Sequence, residues 1–303
     1  MPRSSARERA RTSCSSSPFC QAGAFGSRAY TRPVSDLRAP AVAGRFYPGE
    51  PARMNAMLQE MLQPRAEPPE AARVVVAPHA GWVYSGAIAG EVYARVRVPK
   101  RVVVMCPNHT GMGVRRSIWV SGRWQLPGGD VIVDRELAEH VRDHAELEED
   151  HLAHLREHAV EVQLPFLRAL NPDVLVVPVV LSQLSLRDCH QVGRGLARAI
   201  REVGLDDVLV VASTDMSHYI SAEQARRRDT LALERLLALD PDGLFEVVRR
   251  EDISMCGYIP TTVALVAALE LGASHAELVR YGNSGDVSGD YEAVVGYAGA
   301  VVV

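Results

Sequence analysis

Short runs of β-branched residues recur along this chain and alternate with longer stretches whose apolar residues fall three and four apart. That alternation constrains the fold more than any other feature. Extended runs are expected at Arg73–Ala77, Val102–Cys106, Ser117–Val120, Val174–Leu181, Val208–Ser213, Leu278–Tyr281 and Ala293–Val303. Helices are expected at Glu50–Leu62, Ala87–Val96, Asp134–Asp143, His158–Leu170, Leu186–Val203, Ala222–Leu239 and Pro260–Leu271. Strands that are apolar throughout, rather than at every second residue, need cover on both faces. The expectation is one three-layer α-β-α domain around a mostly parallel sheet. From Pro40 onward only the PRAEPPE stretch starting at Pro64 reads as a linker, and it is short enough for a surface loop.

Composition narrows the function classes. A net charge of -4 gives no attraction to phosphates, so nucleic acid is not expected as a partner. No apolar stretch approaches the roughly 20 residues of a membrane-spanning helix. Cys14, Cys20, Cys106, Cys189 and Cys256 are scattered and form no C-x-x-C pair, which fits a reducing cytoplasm better than a disulfide framework. Residues 1–33 differ from the rest: they are Ser-rich and carry Arg3, Arg7, Arg9, Arg11, Arg28 and Arg32 against a single acid, Glu8. They are read as a disordered leader, with the folded domain over 34–303.

In open α/β sheets, ligands bind beyond the carboxyl ends of the strands. VVVAPH ends on His79, VVVMCPNH ends on His109, and VLVVASTDMSH runs through Asp215 to His218. Three strands thus deliver an imidazole to one sheet edge, which points to a shared site. A second cluster lies in DHLAHLREHAVEVQLPFL. Were it helical, His151, His154 and His158 would share a solvated face with Glu157 and Glu161 on the next stripe. It lacks the H-E-x-x-H pattern of a zinc helix. Glu157 and His158 are instead expected to line the pocket and steady a ligand or a metal-binding histidine.

Cys256, in SMCGYIPTT, precedes a helix start, where the dipole would lower a thiol pKa. Cys106 and Cys189 read as buried small hydrophobes. YGNSGDVSGD lacks the lysine and spacing of a phosphate loop and is expected to be an active-site loop, with Asn283 and Asp286 as polar contacts. No G-x-S-x-G elbow marks a serine hydrolase. Trp82, Tyr84 and Tyr258 flank these motifs and are candidates to shape the cavity.

Seven blocks, AVAGRFYPG, APHAGWVYSG, CPNHTGMG, AHLREHAVEVQLPFL, STDMSHY, CGYIPTTVAL and YGNSGDVSGD with VVGYAG after it, together resemble the MEMO family from Arg38 to Val303. That family is the B component of the AMMECR-MEMO-radical SAM gene group. The resemblance implies a fold like that of class III non-haem iron extradiol dioxygenases. It also implies a metal held by His79, His109 and Cys256, with the cysteine standing where the dioxygenases have a glutamate. His218 would match their acid/base residue, with Asp215 orienting nearby groups. Two imidazoles and one anion leave positions open for substrate and dioxygen, and a thiolate softens the site, so iron(II) or copper is expected ahead of zinc. The implied activity is that of a metal-dependent oxidoreductase. Two rival readings accompany it: a non-catalytic pocket for a phosphopeptide or small ligand, and a protein that serves a radical SAM enzyme and an AMMECR-type partner.

Overall fold

The computed structural model describes residues 37–63, 67–204 and 208–303; the Arg/Ser-rich segment over 1–33 lies outside them. The chain enters through β1 (Leu37–Arg38) and α1 (Pro51–Met61). It then alternates β2 (Val74–Ala77), α2 (Trp82–Arg95) and β3 (Arg101–Pro107). Short strands β4 (Arg116–Ile118), β5 (Arg123–Trp124) and β6 (Val131–Val133) precede α3 (Arg135–Ala145) and β7 (Glu148–Glu149). A 3-10 turn, Glu161–Gln163, leads into α4 (Leu164–Leu170), followed by β8 (Leu175–Leu181), α5 (Leu186–Val203), β9 (Val208–Ser213) and β10 (His218–Ile220). The rest is α6 (Ala222–Leu237), α7 (Pro241–Arg250), α8 (Tyr258–Glu270), β11 (Ala276–Asn283), α9 (Gly285–Ser288) and β12 (Val294–Val302).

The strands form one sheet whose spine runs β1-β5-β6-β8-β3-β9-β2-β12-β10. Its centre, β6-β8-β3-β9-β2, is parallel throughout. Antiparallel pairs flank that centre on both sides: β12 pairs β2, β10 and β11, while β5 pairs β6 and β4 pairs β8. Strands β2 and β9 are buried at every residue, because one core packs Val76, Val103 and Val210 against the helices on one face while the other packs Val75, Val104 and Val211 on the opposite face. Leu137 of α3, Leu196 of α5 and Val263 of α8 belong to the first core, and Met54 of α1, Val92 of α2 and Phe166 of α4 to the second. The molecule is therefore a mixed α/β domain with a large, mostly parallel sheet between helical layers. No helix of the described residues is long and apolar enough to cross a membrane.

Three expectations need correction. The helix expected from Ala87 begins at Trp82, immediately after Gly81. The helix expected from His158 begins late, with a 3-10 turn from Glu161 and α-helix only from Leu164, and the stretch before it, 150–158, is a series of turns. Its histidines are consequently not on a solvated face: His154 is fully buried, and His151 stacks on Trp119 with ring centroids 3.8 Å apart.

Candidate functional site

Parallel pairing puts the carboxyl ends of β3, β9 and β2 side by side, with Ala77 in register with Ser213 and Met105 with Ala212. Two residues past those strands stand His79, His109 and Asp215. His79 is fully buried. Its N–H donates to Asp215 Oδ1 at 2.7 Å, and its Nδ1 lies 3.0 Å from Ser213 Oγ. Ser213 Oγ gives its proton to the Ala159 carbonyl (2.7 Å) and accepts from Gln163 Nε2 (2.8 Å). Its remaining lone pair can only accept, so His79 carries its proton on Nδ1 and turns an Nε2 lone pair toward the site. Tyr93 OH donates to Gln163 Oε1 at 2.9 Å and fixes the amide that fixes the serine.

His109 is held in the same manner from the other side. The Glu157 carboxylate, buried without exposed surface, takes the His109 N–H at 2.7 Å on Oε2, and His109 Nδ1 sits 2.9 Å from Oε1. Since an ionised carboxylate only accepts, Nδ1 is the protonated nitrogen there too. His158 Nδ1 stands 3.3 Å from the same oxygen. The outcome is a cluster in which His79, His109 and His158 each offer a ring nitrogen, all within 4.8 Å of one another. His79 and His109 meet edge to face at 5.0 Å between centroids. The expected ligand Cys256 lies beside this cluster, with its Sγ 3.3 Å from His79 Nε2.

Position of the thiol follows from one close approach. A Cβ on Gly257 would stand 2.4 Å from Thr214 Cβ, so only glycine lets the start of α8 press against the end of β9. Cys256 then accepts the Asp215 N–H at 3.2 Å. Burial, and next the Asp215 charge, push its pKa up, which overrides the lowering expected at a helix start. In the metal-free protein the sulfur keeps its proton, and a cation loaded there must release it.

Electrostatics suit a cation. Burial first, then neighbouring His109, pulls His79 down to about 3; burial and His79 pull His158 to about 4. Both rings are neutral near pH 7, with lone pairs free to ligate. For Glu157, burial works toward a higher pKa, but the hydrogen bond and charge of His109, with His158 and the Ala159 N–H, hold it at about 2. A buried carboxylate behind two imidazoles is how metal-binding histidines are commonly oriented and made more basic. We expect Glu157→Gln to weaken metal binding about 10- to 100-fold, measured by competition with a chelator of known affinity.

His218 reaches the same region from β10. Its N–H donates to Ser254 Oγ (2.7 Å), and its Nδ1 lies 2.9 Å from the Ser254 carbonyl, so Nε2 is the ring nitrogen those bonds do not engage. Asp215, raised by burial, carries the His79 amide and lies 3.9 Å from His79 Nε2 through Oδ2. The other expected contacts are occupied structurally. Asp286 Oδ2 accepts the Asn283 N–H and Asn283 Oδ1 the Gly285 N–H, each at 2.9 Å, so both shape their own loop. Trp82 is core, Tyr258 packs on Phe245, and Tyr84 is 45% exposed. Cys106 and Cys189 are buried free thiols.

Sequence reasoning missed the clamp behind the site. Arg38 Nη2 donates to the carbonyls of Glu157 (2.6 Å) and His154 (3.2 Å), and its Nη1 pairs with Glu161. Glu161 also accepts from Ala41 N, Val42 N and Tyr47 OH at 2.8, 3.1 and 2.8 Å. The guanidinium lies 4.3 Å over Trp124. These contacts hold the turns that carry Glu157 and His158 against the sheet edge.

Comparison with known proteins agrees with the motif reading. A family model described as "Memo-like protein" matches residues 38–301. A MEMO1 family protein of Methanopyrus kandleri is 40% identical over 278 residues, covering 87% of this chain and 98% of its own. One from Aquifex aeolicus is 37% identical over 274 residues, covering 88% and 98%. A solved structure, an uncharacterized protein from Escherichia coli K12, overlaps 75% of this chain and 98% of its own at 13% identity and a TM-score of 0.48. With matches that run the length of the folded domain and of the relatives themselves, the chain belongs to the Memo-like protein family.

Proposed function

We propose that His79, His109 and Cys256 hold iron(II) or copper and that the protein is a metal-dependent oxidoreductase of the extradiol dioxygenase type. The observation that carries this is the convergence of the His79, His109 and His158 ring nitrogens within 4.8 Å, with the Cys256 sulfur 3.3 Å from His79 Nε2 and the Nδ1 atoms of His79 and His109 pinned from behind by Ser213 and Glu157. The donor set fits such an ion: neutral imidazoles and a soft sulfur suit iron(II), copper and zinc rather than magnesium or calcium. The bound metal would supply Lewis acidity and a place for a small oxygen-rich substrate beside dioxygen. The chain's own residues do the rest. Glu157 and Ser213 keep the ligand nitrogens aimed, His158 faces the bound substrate from the third corner, and His218 Nε2 accepts or returns a substrate proton.

Metal content of protein prepared without oxygen tests the ligand assignment. Wild type and His158→Ala are expected to retain one equivalent of iron or copper, and Cys256→Ala to fall at least about tenfold in occupancy. Loss in His158→Ala with retention in Cys256→Ala would make His158 the third ligand. Oxygen uptake with candidate catechols then tests the chemistry. His218→Ala is expected to lower turnover at least about 10²-fold with metal content unchanged. An unchanged rate removes His218 from the reaction.

A binding role is the second reading, favoured by exposed aromatic side chains beside two site motifs: Tyr219, next to His218, is 79% exposed, and Tyr84 lies in the first turn after His79. Stoichiometric metal without oxygen consumption would select that reading.

A further inference from the structure

A second cluster of ligating side chains lies on the outer helical layer, away from the sheet edge. His140 and His144 are four residues apart on α3, so they share one helix face, and their rings stack nearly parallel at 6.4 Å between centroids. Both turn toward a single carboxylate on the neighbouring helix α5. His140 Nδ1 is 2.7 Å from Glu202 Oε2, and His144 Nε2 is 2.9 Å from Glu202 Oε1. One ligand atom from each residue falls within 4.8 Å of the other two. We propose that His140, His144 and Glu202 form a binding site for a divalent transition metal, zinc above all, that staples α3 to α5.

The scaffold is fixed before any ion arrives. A Cβ on Gly195 of α5 would stand 2.2 Å from the His144 carbonyl, so the two helices are in backbone contact at the site. Leu137, Val141 and Ala145 of α3 and Val192, Leu196 and Ile200 of α5 are buried in the same core. Helices locked in this way hold three donors in place at little entropic cost, which separates a preorganised site from a chance surface pairing. Two imidazoles and a carboxylate form a donor set that zinc takes with one position left to water. All three residues are partly exposed, at 39, 32 and 47%, so an ion has access. As a plain ion pair the same contacts would contribute little, since exposed pairs are worth about 0–1 kcal/mol. Because α3 feeds β7 and then the turns bearing Glu157, the staple sits directly upstream of the candidate site in the chain.

Zinc binding by the full chain, followed by equilibrium dialysis, tests the proposal. Wild type is expected to hold one equivalent more than the His140→Ala/His144→Ala double variant, whose fold is checked by circular dichroism. Glu202→Gln should weaken that equivalent at least tenfold without altering the helical signal. The Cys256→Ala variant should keep it, which separates this site from the one at the sheet edge. With cobalt(II) in place of zinc, the difference between wild type and double variant should lack a thiolate charge-transfer band. Equal zinc stoichiometry and affinity in wild type and the double variant would overturn the assignment and leave an ion pair between helices.

Discussion

Replacing Arg38 by methionine should destabilise the protein by about 3–5 kcal/mol, because it strands one half of a buried ion pair. Arg38 is 1% exposed and Glu161 not at all. Once the guanidinium is gone, the Glu161 carboxylate retains its bonds from Ala41 N, Val42 N and Tyr47 OH but carries its charge without a counterion. The Glu157 carbonyl loses its Arg38 donor at the same stroke, which adds the cost of an unpaired buried acceptor, while the His154 carbonyl keeps only the Glu157 N–H at 3.3 Å. Adding Glu161→Gln removes the stranded charge, so the double variant is expected to be more stable than Arg38→Met alone. Urea unfolding of the three proteins checks both statements; a single variant within 1 kcal/mol of wild type would show that the pair is not what holds these turns. Because Glu157 hangs from Arg38 through its carbonyl, metal affinity should fall in Arg38→Met while every proposed ligand is intact.

That clamp marks where the sequence stops being legible. The parallel centre could be read directly, since β2, β3, β8 and β9 are continuous β-branched runs and nothing else packs such runs between two helical layers. The site edge followed, because His79 and His109 come two residues after strands whose order places their ends together. The short strands β1, β5 and β7 have only two residues each and no periodicity to detect; they exist because neighbouring strands offer them partners. Helix α7 was legible but missed: Asp240 followed by Pro241 is a capping residue and then proline at the first helical position, and Leu244, Phe245, Val247 and Val248 fall at helical spacing on its buried face. Residues 150–158 misled because their histidines have helical spacing, while Arg38, more than a hundred positions away, takes the backbone carbonyls a helix would have used. Long-range hydrogen bonds of that kind leave no local pattern. The AVAGRFYPG block did flag the neighbourhood of the clamp through its family resemblance, without revealing what Arg38 itself holds.

Acidification should unfold the metal-free protein well above the pH at which carboxylates titrate. His79, His154 and His158 are held near 3, 3 and 4, with burial the largest cause in each. An unfolded histidine titrates near 6.5. Between those values the unfolded chain binds more protons than the folded one, so stability is fully present above pH 6.5 and is lost as the pH falls below it. Each ring contributes about 1.4 kcal/mol per pH unit in that window, so the three together remove about 4 kcal/mol between pH 7.5 and 5.5. His109 works in the opposite direction. Burial lowers its pKa, but the hydrogen bond and charge of Glu157 outweigh that and raise it, adding stability on the acid side. Asp215, raised by burial, opposes the loss as well. Glu157, held at about 2, adds its own loss only below its ordinary value of 4.5. The net expectation is about 3 kcal/mol less stability at pH 5.5, read from urea unfolding at the two pH values. His154 is the cleanest reporter, since it is not a proposed ligand. Ser117 Oγ gives its proton to the Asp150 carbonyl, so His154 Nε2 donates to that hydroxyl at 2.8 Å, and its buried Nδ1 has no hydrogen-bond partner among the described residues. Protonating that nitrogen would create an unpaired donor in the interior, a state the fold can avoid only by opening. His154→Gln should therefore flatten the pH dependence by about a third; an unfolding midpoint that does not move between pH 7.5 and 5.5 would mean these rings are not held neutral by burial.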